Sequence, residues 1–577
     1  MSKASEPKRF VHFFSGSKRK IVFTCVGLVV VVFAVLGYMT TKRATSTARD
    51  VTARSTKIFD PIIPKGDKLA IRAATKPIHT SDLLSEYTAL PKAFPIESSK
   101  DRFEEIPFWW KKPPTLTKKE IGYQRYLSSI TWQLPKDKWY PFWKIGGNQI
   151  GLQSLRYHGA FVGYAAAALG MRTPAYPGLT KRIIGSAIEH LLDRDTWAYI
   201  SHFWKDKSWY PDPAAGDNIM YTGHLLQLMV LYEALTGDAR YRKEGFDFVW
   251  DEKTSFHYTL MSLVDVTIAQ MRKNPSGGVA DEPGHVSFAF NAHPHVALKL
   301  LEGLGLGDWS SERKKWEAFA LSSFYDELGG GVIKWGYSQN KKKFFPIGYP
   351  GMDGWGLMWY QTWASDAAVP NRIWRLAKNQ VTVDALKRRH SKLKKGAKSN
   401  PTKDLVPYLS AIVQRALPIV PTSAFLYPAA IACGDVHSAK RLRGMIEKRY
   451  ITQKGGKVFL TFPHKFGMVS NANMILGLAL EEGSNMRHLV QRPLPRDYFA
   501  GPLIEEVTPD DAVVLQAYRD KEHLIVELAS FGPADIVLGN VSAVTNVEGI
   551  EREEWRFQNG TLHIKSRGQR VLRIASN

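Results

Sequence analysis

Cysteine is nearly missing from this chain: Cys25 and Cys433 are the only two in 577 residues. No disulfide framework can be built from that pair, and a thiol mechanism has at most one candidate. Cys433 lies in an apolar helical stretch where a buried, inert thiol is expected. Gly-rich phosphate loops between a strand and a helix are also missing, as are HExxH and other spacings with known ligand logic. No cofactor is therefore expected. Acidic residues are scarce, 54 against 78 Lys and Arg, which leaves a formal charge of +24. Such an excess suits nucleic acid, an anionic membrane face or an acidic substrate. The densest basic run, Lys387–Lys403, is broken by Gly396 and Pro401 and holds no aromatic residue to stack on bases. It reads as a solvated loop, and no nucleic-acid partner is expected.

What is present is the balance of a folded chain, 44% hydrophobic and 23% charged. Ile21–Met39 is 19 residues without a charge, enough to cross a bilayer core of roughly 30 Å. Six Lys and Arg precede this span and five lie in the twenty residues after it. The positive-inside rule then leaves residues 1–20 as a cytoplasmic tail and translocates the body into the lumen or exterior. A cleaved signal peptide would have a shorter apolar core, about 7–15 residues, and a small-x-small site. Sequons at Asn540 and Asn559 suit a lumenal glycoprotein.

Residues 40–105 are polar and without sustained periodicity, which fits a stalk that wraps onto the body. From 106 to 495 the pattern is helical. Leu152–Leu169, Ile219–Leu235, Ser255–Met271, Val286–Leu301, Trp316–Leu328, Gly354–Ser365, Val406–Leu417, Ser438–Tyr450 and Asn471–Glu482 each place apolar residues three and four apart. Ten to twelve helices joined by Gly- and aromatic-rich loops predict hairpins in a ring, an α/α toroid. From 502 to 577 short β-branched stretches (Ala512–Tyr518, His523–Leu528, Asp535–Leu538, Glu554–Phe557, Thr561–Ile564 and Gln569–Ile574) predict a small all-β, sandwich-like domain. Asn559-Gly560 is a strong hairpin signal within it.

Two segments carry candidate chemistry. In Trp209–Tyr241, Asp217 precedes an amphipathic helix, where it serves as an N-cap or as a site residue. Tyr221 and His224 are three apart and share a helical face, so a phenol and an imidazole could move protons together; a satisfied core histidine is the plainer reading. In Gly277–His295, Asp281 and Glu282 sit in a turn before Pro283, and His285 opens a helix. Adjacent carboxylates beside histidines can divide into donor and acceptor, although on a loop they are more often solvated. His285, His293 and His295 are the residues a metal would need. Trp355–Trp363 adds an aromatic run that suits an apolar or cationic guest, or plain core packing.

The runs DNIMYTGHLLQLMVLYEALTGDARY and GVADEPGHVSFAFNAH, in this order, resemble the linalool dehydratase-isomerase family. That family has an Asn-Ile-Met-Tyr-x-Gly-His helix and a Gly-x-x-Cys-Glu-Pro loop. The match is clear from Asp217 to His295 and fainter from about 150 to 480. The resemblance implies an (α/α)6 barrel and a cofactor-free acid/base dehydration or isomerisation of a terpene alcohol. It places the family histidine on His224, its tyrosine on Tyr221 and its Glu-Pro pair on Glu282 and Pro283. The family's two active-site cysteines fall on Asp281 and Phe290, and its early aspartate, which precedes the helical body, is not placed on any position here. Linalool itself is then not the expected substrate. An aspartate at 281 can still act as acid or base, and Phe290 can shape the pocket or face a carbocation.

The resulting expectation is a membrane-anchored lyase or isomerase acting on a small hydrophobic alcohol or terpenoid. His224, Asp281, Tyr221 and Glu282 would be catalytic, with Asp217, His285, Phe290, Asn291 and Trp355 around the substrate; a homo-oligomer is compatible with this. A carbohydrate-active toroid, such as a uronyl epimerase or polysaccharide lyase, is the alternative, and a non-catalytic scaffold is a third. The topology has a direct test. Protease added to intact microsomes should leave a protected fragment of nearly full size, whereas complete digestion would refute a translocated body.

Overall fold

The computed structural model describes residues 108–131, 155–326, 332–333, 336–344, 350–380, 422–461, 467–509, 512–520, 523–544 and 546–575. The expected span Ile21–Met39, the stalk 40–105, the basic run Lys387–Lys403 and the expected helix Val406–Leu417 lie outside these residues. Among the described residues, no helix is long and apolar enough to cross a membrane.

The described chain is mainly helical, with a β region at its C-terminal end. Its main helices are α1 (Lys118–Thr131), α2 (Leu155–Gly170), α3 (Pro177–Leu192), α4 (Ile219–Thr236), α5 (Leu260–Lys273), α6 (Phe288–Gly303), α7 (Ser310–Ser323), α8 (Pro350–Trp363), α9 (Ala368–Gln380), α10 (Thr422–Ala432), α11 (Val436–Tyr450) and α12 (Gly467–Glu481). α2 packs on α4, α4 on α6, α6 on α8, α8 on α10, α10 on α12, and α12 on α2.

Close packing depends on glycine at two of these crossings. A Cβ on Gly223 would meet Pro294 Cδ at 3.0 Å, so α4 and α6 approach there with almost no side chain between them. A Cβ on Gly354 would stand 2.7 Å from the Phe425 carbonyl oxygen, which fixes the α8–α10 contact in the same way.

Several expected boundaries need correction. α4 is not amphipathic: all 18 of its residues are buried, which is what a helix apolar on every side does. The expected helix Ser255–Met271 begins instead as a strand, β2 (Thr254–Tyr258), paired with β1 (Phe246–Asp251). The break falls at Thr259, whose hydroxyl accepts from the Ser262 amide at 3.1 Å while Ser262 Oγ accepts from the Thr259 amide at 2.8 Å. That reciprocal capping box starts α5 at Leu260. Similarly, His285 does not open a helix. It begins a short strand, β3 (His285–Ser287), and α6 starts at Phe288.

The β region is a six-stranded antiparallel sheet of β4 (Leu503–Thr508), β5 (Val513–Asp520), β6 (His523–Gly539), β7 (Asn546–Glu548), β8 (Trp555–Gln558) and β9 (Thr561–Ala575). Two pairs of expected short strands are in fact the long strands β6 and β9, which share a register shift between Ser530 and Ala534. Before that shift β6 pairs with β5, and after it with β4. Leu524, Val526 and Leu572 from one half join Ile504, Leu538 and Ile564 from the other in one buried cluster. Asn559 and Gly560 both have positive φ, 51° and 74°, as the tight β8–β9 hairpin requires. Tyr176 and Leu494 of the helical part enter the same core, and Ala175 exchanges backbone bonds with Ala517 and Ile504.

The approach segment of the body is held by a buried ion pair. Arg172 at the end of α2 reaches Glu120 of α1 at 2.7 Å, with side-chain exposures of 1% and 0%, and also donates to the carbonyls of Pro114 and Thr115. Burial raises the pKa of Glu120 and lowers that of Arg172, so desolvation outweighs attraction on both sides. Removing one partner leaves a lone buried charge. Glu120→Leu should cost about 3–5 kcal/mol in denaturant unfolding, and the double variant Glu120→Leu/Arg172→Met distinctly less. Equal losses in both would refute this account.

Candidate active site

α2 supplies one wall of the site through Tyr157, Phe161 and Tyr164, spaced four and three apart on one helical face. α4 supplies His224 and Gln227, α6 supplies Phe290 and His293, and α8 supplies Trp355 and Trp359. The Tyr157 ring lies 5.5 Å from His224, 5.9 Å from Phe290 and 5.3 Å from Trp355. Phe425 of α10 stacks on Trp355 at 5.4 Å. His224 therefore sits in an aromatic chamber.

The polar groups in the chamber form a chain. Tyr164 Oη is 2.7 Å from His224 Nδ1 and 3.2 Å from His293 Nδ1. His293 Nδ1 is also 2.6 Å from Gln227 Oε1, and Trp355 Nε1 donates to His293 Nε2 at 2.6 Å. The two imidazoles lie 3.9 Å apart, centre to centre. Burial holds both well below the ordinary histidine range; Arg156 adds to this at His224, and His224 adds to it at His293. Both rings are neutral near pH 7. His224 Nε2 is buried without a hydrogen-bond partner.

Asp281 is 7% exposed. Its Oδ2 accepts from Ser287 Oγ at 2.6 Å, while its Oδ1 is buried without a partner. Burial lifts its pKa from 3.8 to about 7, opposed by the Ser287 hydrogen bond and reinforced by the charges of Glu282 and Asp217. Its loop is clamped by Asn291, which accepts from the Val279 amide at 2.7 Å and donates to the carbonyls of Val279 and Ser287. No hydrogen bond joins Asp281 to His224 among the described residues. The Tyr157 ring lies beside His224, and burial raises its pKa, opposed by Arg156 and reinforced by the charges of Asp281 and Glu282.

A family model described as linalool dehydratase/isomerase matches residues 156–461, just over half of the chain. The chain belongs to the linalool dehydratase/isomerase family. The family is one of enzymes, and a lyase or isomerase chemistry follows from membership. The matched region contains every helix that lines the chamber as far as α10 and stops before the β region.

The expected site residues fall into two groups. His224, Phe290 and Trp355 meet in the chamber, and Asp281 is buried on the loop before α6, bonded to Ser287. The others have different surroundings. Tyr221 donates its hydroxyl to the Leu191 carbonyl at 2.6 Å, and Tyr164 is the phenol bonded to His224. Glu282 is exposed, with His285 Nδ1 3.8 Å away. Asp217 is half-buried, and burial raises its pKa; the N-cap position is Asn218. Asn291 is committed to backbone.

The three metal candidates do not converge. His293 has both ring nitrogens engaged, His285 is half-exposed, and His295 lies 4.9 Å from the Trp363 ring. Among the described residues no three metal-ligating side chains come together. Cys433 is buried, and burial pushes its thiol far up. An open groove of about 560 Å³ lined by Glu189, Asp193, Arg194, Glu244, Asp247 and Trp250, among others, contains none of the expected residues.

Tyr157, Tyr164, Gln227 and Arg156 were not anticipated. The aromatic spacing on α2 and the i+3 relation of Gln227 to His224 were signals that could have found three of them. Arg156 is buried with its guanidinium over the rings of Tyr157 (4.7 Å) and Tyr199 (4.3 Å), and its Nη2 is 3.4 Å from Met220 Sδ.

The raised pKa of Asp281 has a stability consequence. The folded carboxyl keeps its proton up to about pH 7, whereas the unfolded one loses it near 3.8. Its contribution is therefore full below about 3.8 and declines as pH rises to about 7. Asp281→Asn cannot ionise, so its stability relative to the parent should rise by about 2–3 kcal/mol between pH 5 and pH 8. Urea unfolding at the two pH values measures this, and a difference independent of pH would refute it.

Proposed function

We propose that the chain is a membrane-anchored lyase or isomerase that dehydrates or rearranges a hydrophobic alcohol inside an (α/α)6 barrel. The cyclic packing of α2, α4, α6, α8, α10 and α12 supports the barrel, and the uncharged segment Ile21–Met39 supports the anchor. The observation that carries the chemistry is Asp281: a buried carboxyl with one unpartnered oxygen, at the position the resemblance gives to a family thiol.

In the proposed dehydration, Asp281 in its acid form gives its proton to the substrate hydroxyl as the C–O bond breaks and the bonding pair leaves with water. The resulting carboxylate takes a proton from the adjacent carbon, whose C–H pair becomes the double bond. The products are water and an alkene, and Asp281 is again protonated. Aromatic faces at Tyr157, Phe290 and Trp355 favour positive charge on the reacting carbon by about 0.5–2 kcal/mol each. Arg156 opposes that charge, so proton removal should keep pace with C–O cleavage. The same arginine is the one feature that favours the carbohydrate reading, because a buried guanidinium suits a uronate carboxylate.

Purified protein offered isoprenoid alcohols and, separately, uronic-acid polymers distinguishes the two. Alkene formation from the alcohols is expected, falling by about 10²–10⁴ in Asp281→Asn and His224→Ala. Activity should decline as pH rises through about 7, where Asp281 loses its proton, and should survive exhaustive chelation. Full activity in both folded variants, or turnover of uronates alone, would refute the proposal.

A further inference from the structure

Trp355 has only a donor at its ring nitrogen. Because it donates to His293 Nε2, that nitrogen carries a lone pair, and the neutral ring must hold its proton on Nδ1. The acceptor for that proton is Gln227 Oε1, 2.6 Å away. His293 Nδ1 therefore cannot accept from Tyr164. Burial keeps the Tyr164 phenol protonated far beyond neutral pH, and its single proton has one acceptor left among its two neighbours, His224 Nδ1 at 2.7 Å. His224, itself neutral, then carries its proton on Nε2, the nitrogen that has no partner.

We infer that His224 presents an N–H donor, not a basic lone pair, to the substrate oxygen, and that Trp355, Gln227, His293 and Tyr164 are positioning residues that fix this tautomer. The inference rests on the reading that His224 belongs to the reaction site. The donor orients the hydroxyl for Asp281 and supports the oxygen as the C–O bond lengthens. A neutral imidazole cannot be the proton source, so Asp281 carries the moving proton alone. The relay also explains why two imidazoles share one apolar chamber: the first sets the direction of the second.

The test is ¹⁵N NMR of the full chain labelled at histidine, with the His224 signals assigned by their loss in His224→Gln. The expected spectrum has unprotonated Nδ1 and protonated Nε2 for His224, and the reverse for His293. Tyr164→Phe should mix the two His224 tautomers and lower kcat about 10–100-fold with a smaller change in KM. Trp355→Phe should release the His293 tautomer and give a weaker version of the same effect.

Protonated Nδ1 on His224 in the parent protein would overturn the inference whatever the activity. An unaltered His224 spectrum in folded Tyr164→Phe would do the same. The expected spectrum together with a fully active His224→Gln would instead overturn the site assignment, because the lock would then serve no reacting group.

Discussion

α4 has no solvent face, and this constrains much of the helical part around it. Each polar side chain on the helix must be satisfied inside the protein, since an unmet buried group costs about 1–3 kcal/mol. Tyr221 meets the requirement at the Leu191 carbonyl, Thr222 at Asn218, and Gln227 at His293. Arg242 holds Glu233 near the helix end. His224 is satisfied on one nitrogen only. Apart from the Gln227 amide nitrogen, which also lacks a partner, His224 Nε2 is the side-chain atom this helix leaves unpaired.

The same constraint dictates the neighbours. α2 and α6 can flank α4 closely because Gly163 and Gly223 remove side chains at the crossings: a Cβ at Gly163 would sit 2.4 Å from Leu228. That proximity brings the His293 ring to 3.9 Å from His224 and puts Tyr164 between their Nδ1 atoms. The polar chain is thus a product of tight helix packing and not of a loop that could rearrange. Loop geometry enters only at Asp281, where Asn291 and Ser287 hold the turn from beneath.

Much of this was legible in the sequence. The helical body, the β texture after Pro502, and the segments around His224 and Asp281 follow from periodicity, turn residues and motif resemblance. Other features depend on three dimensions. Sequence spacing made Tyr221 the partner of His224 because both lie one turn apart. The structure joins His224 to Tyr164, 60 residues earlier, because the nearest phenol in space comes from a neighbouring helix. Glu282 stood beside Asp281 in the chain, but the turn at Pro283 and Gly284 sends one carboxylate outward and buries the other. Arg156 was hidden as one cation in an apolar run, with no pattern to distinguish it from a solvated residue.

The two groups of the proposed reaction have their proton affinities pushed in opposite directions, and the order is inverted from water. In water an imidazole holds a proton more tightly than an aspartate carboxylate by about 2.6 pH units. Here burial dominates at both groups, but it penalises the charged form, which is the protonated imidazole and the deprotonated carboxyl. Arg156 lowers His224 further, and Glu282 and Asp217 raise Asp281 further. Near neutral pH the proton therefore resides on the carboxyl, and the imidazole is reduced to a dipole. A cysteine in place of Asp281 would bring a far less acidic proton, near pH 8.5 when unperturbed, and burial would make it a still weaker donor. A carboxyl at this position thus brings to the proposed site a proton that is transferable near neutral pH. In the proposed cycle that single proton suffices, because the same carboxyl gives it and takes it back.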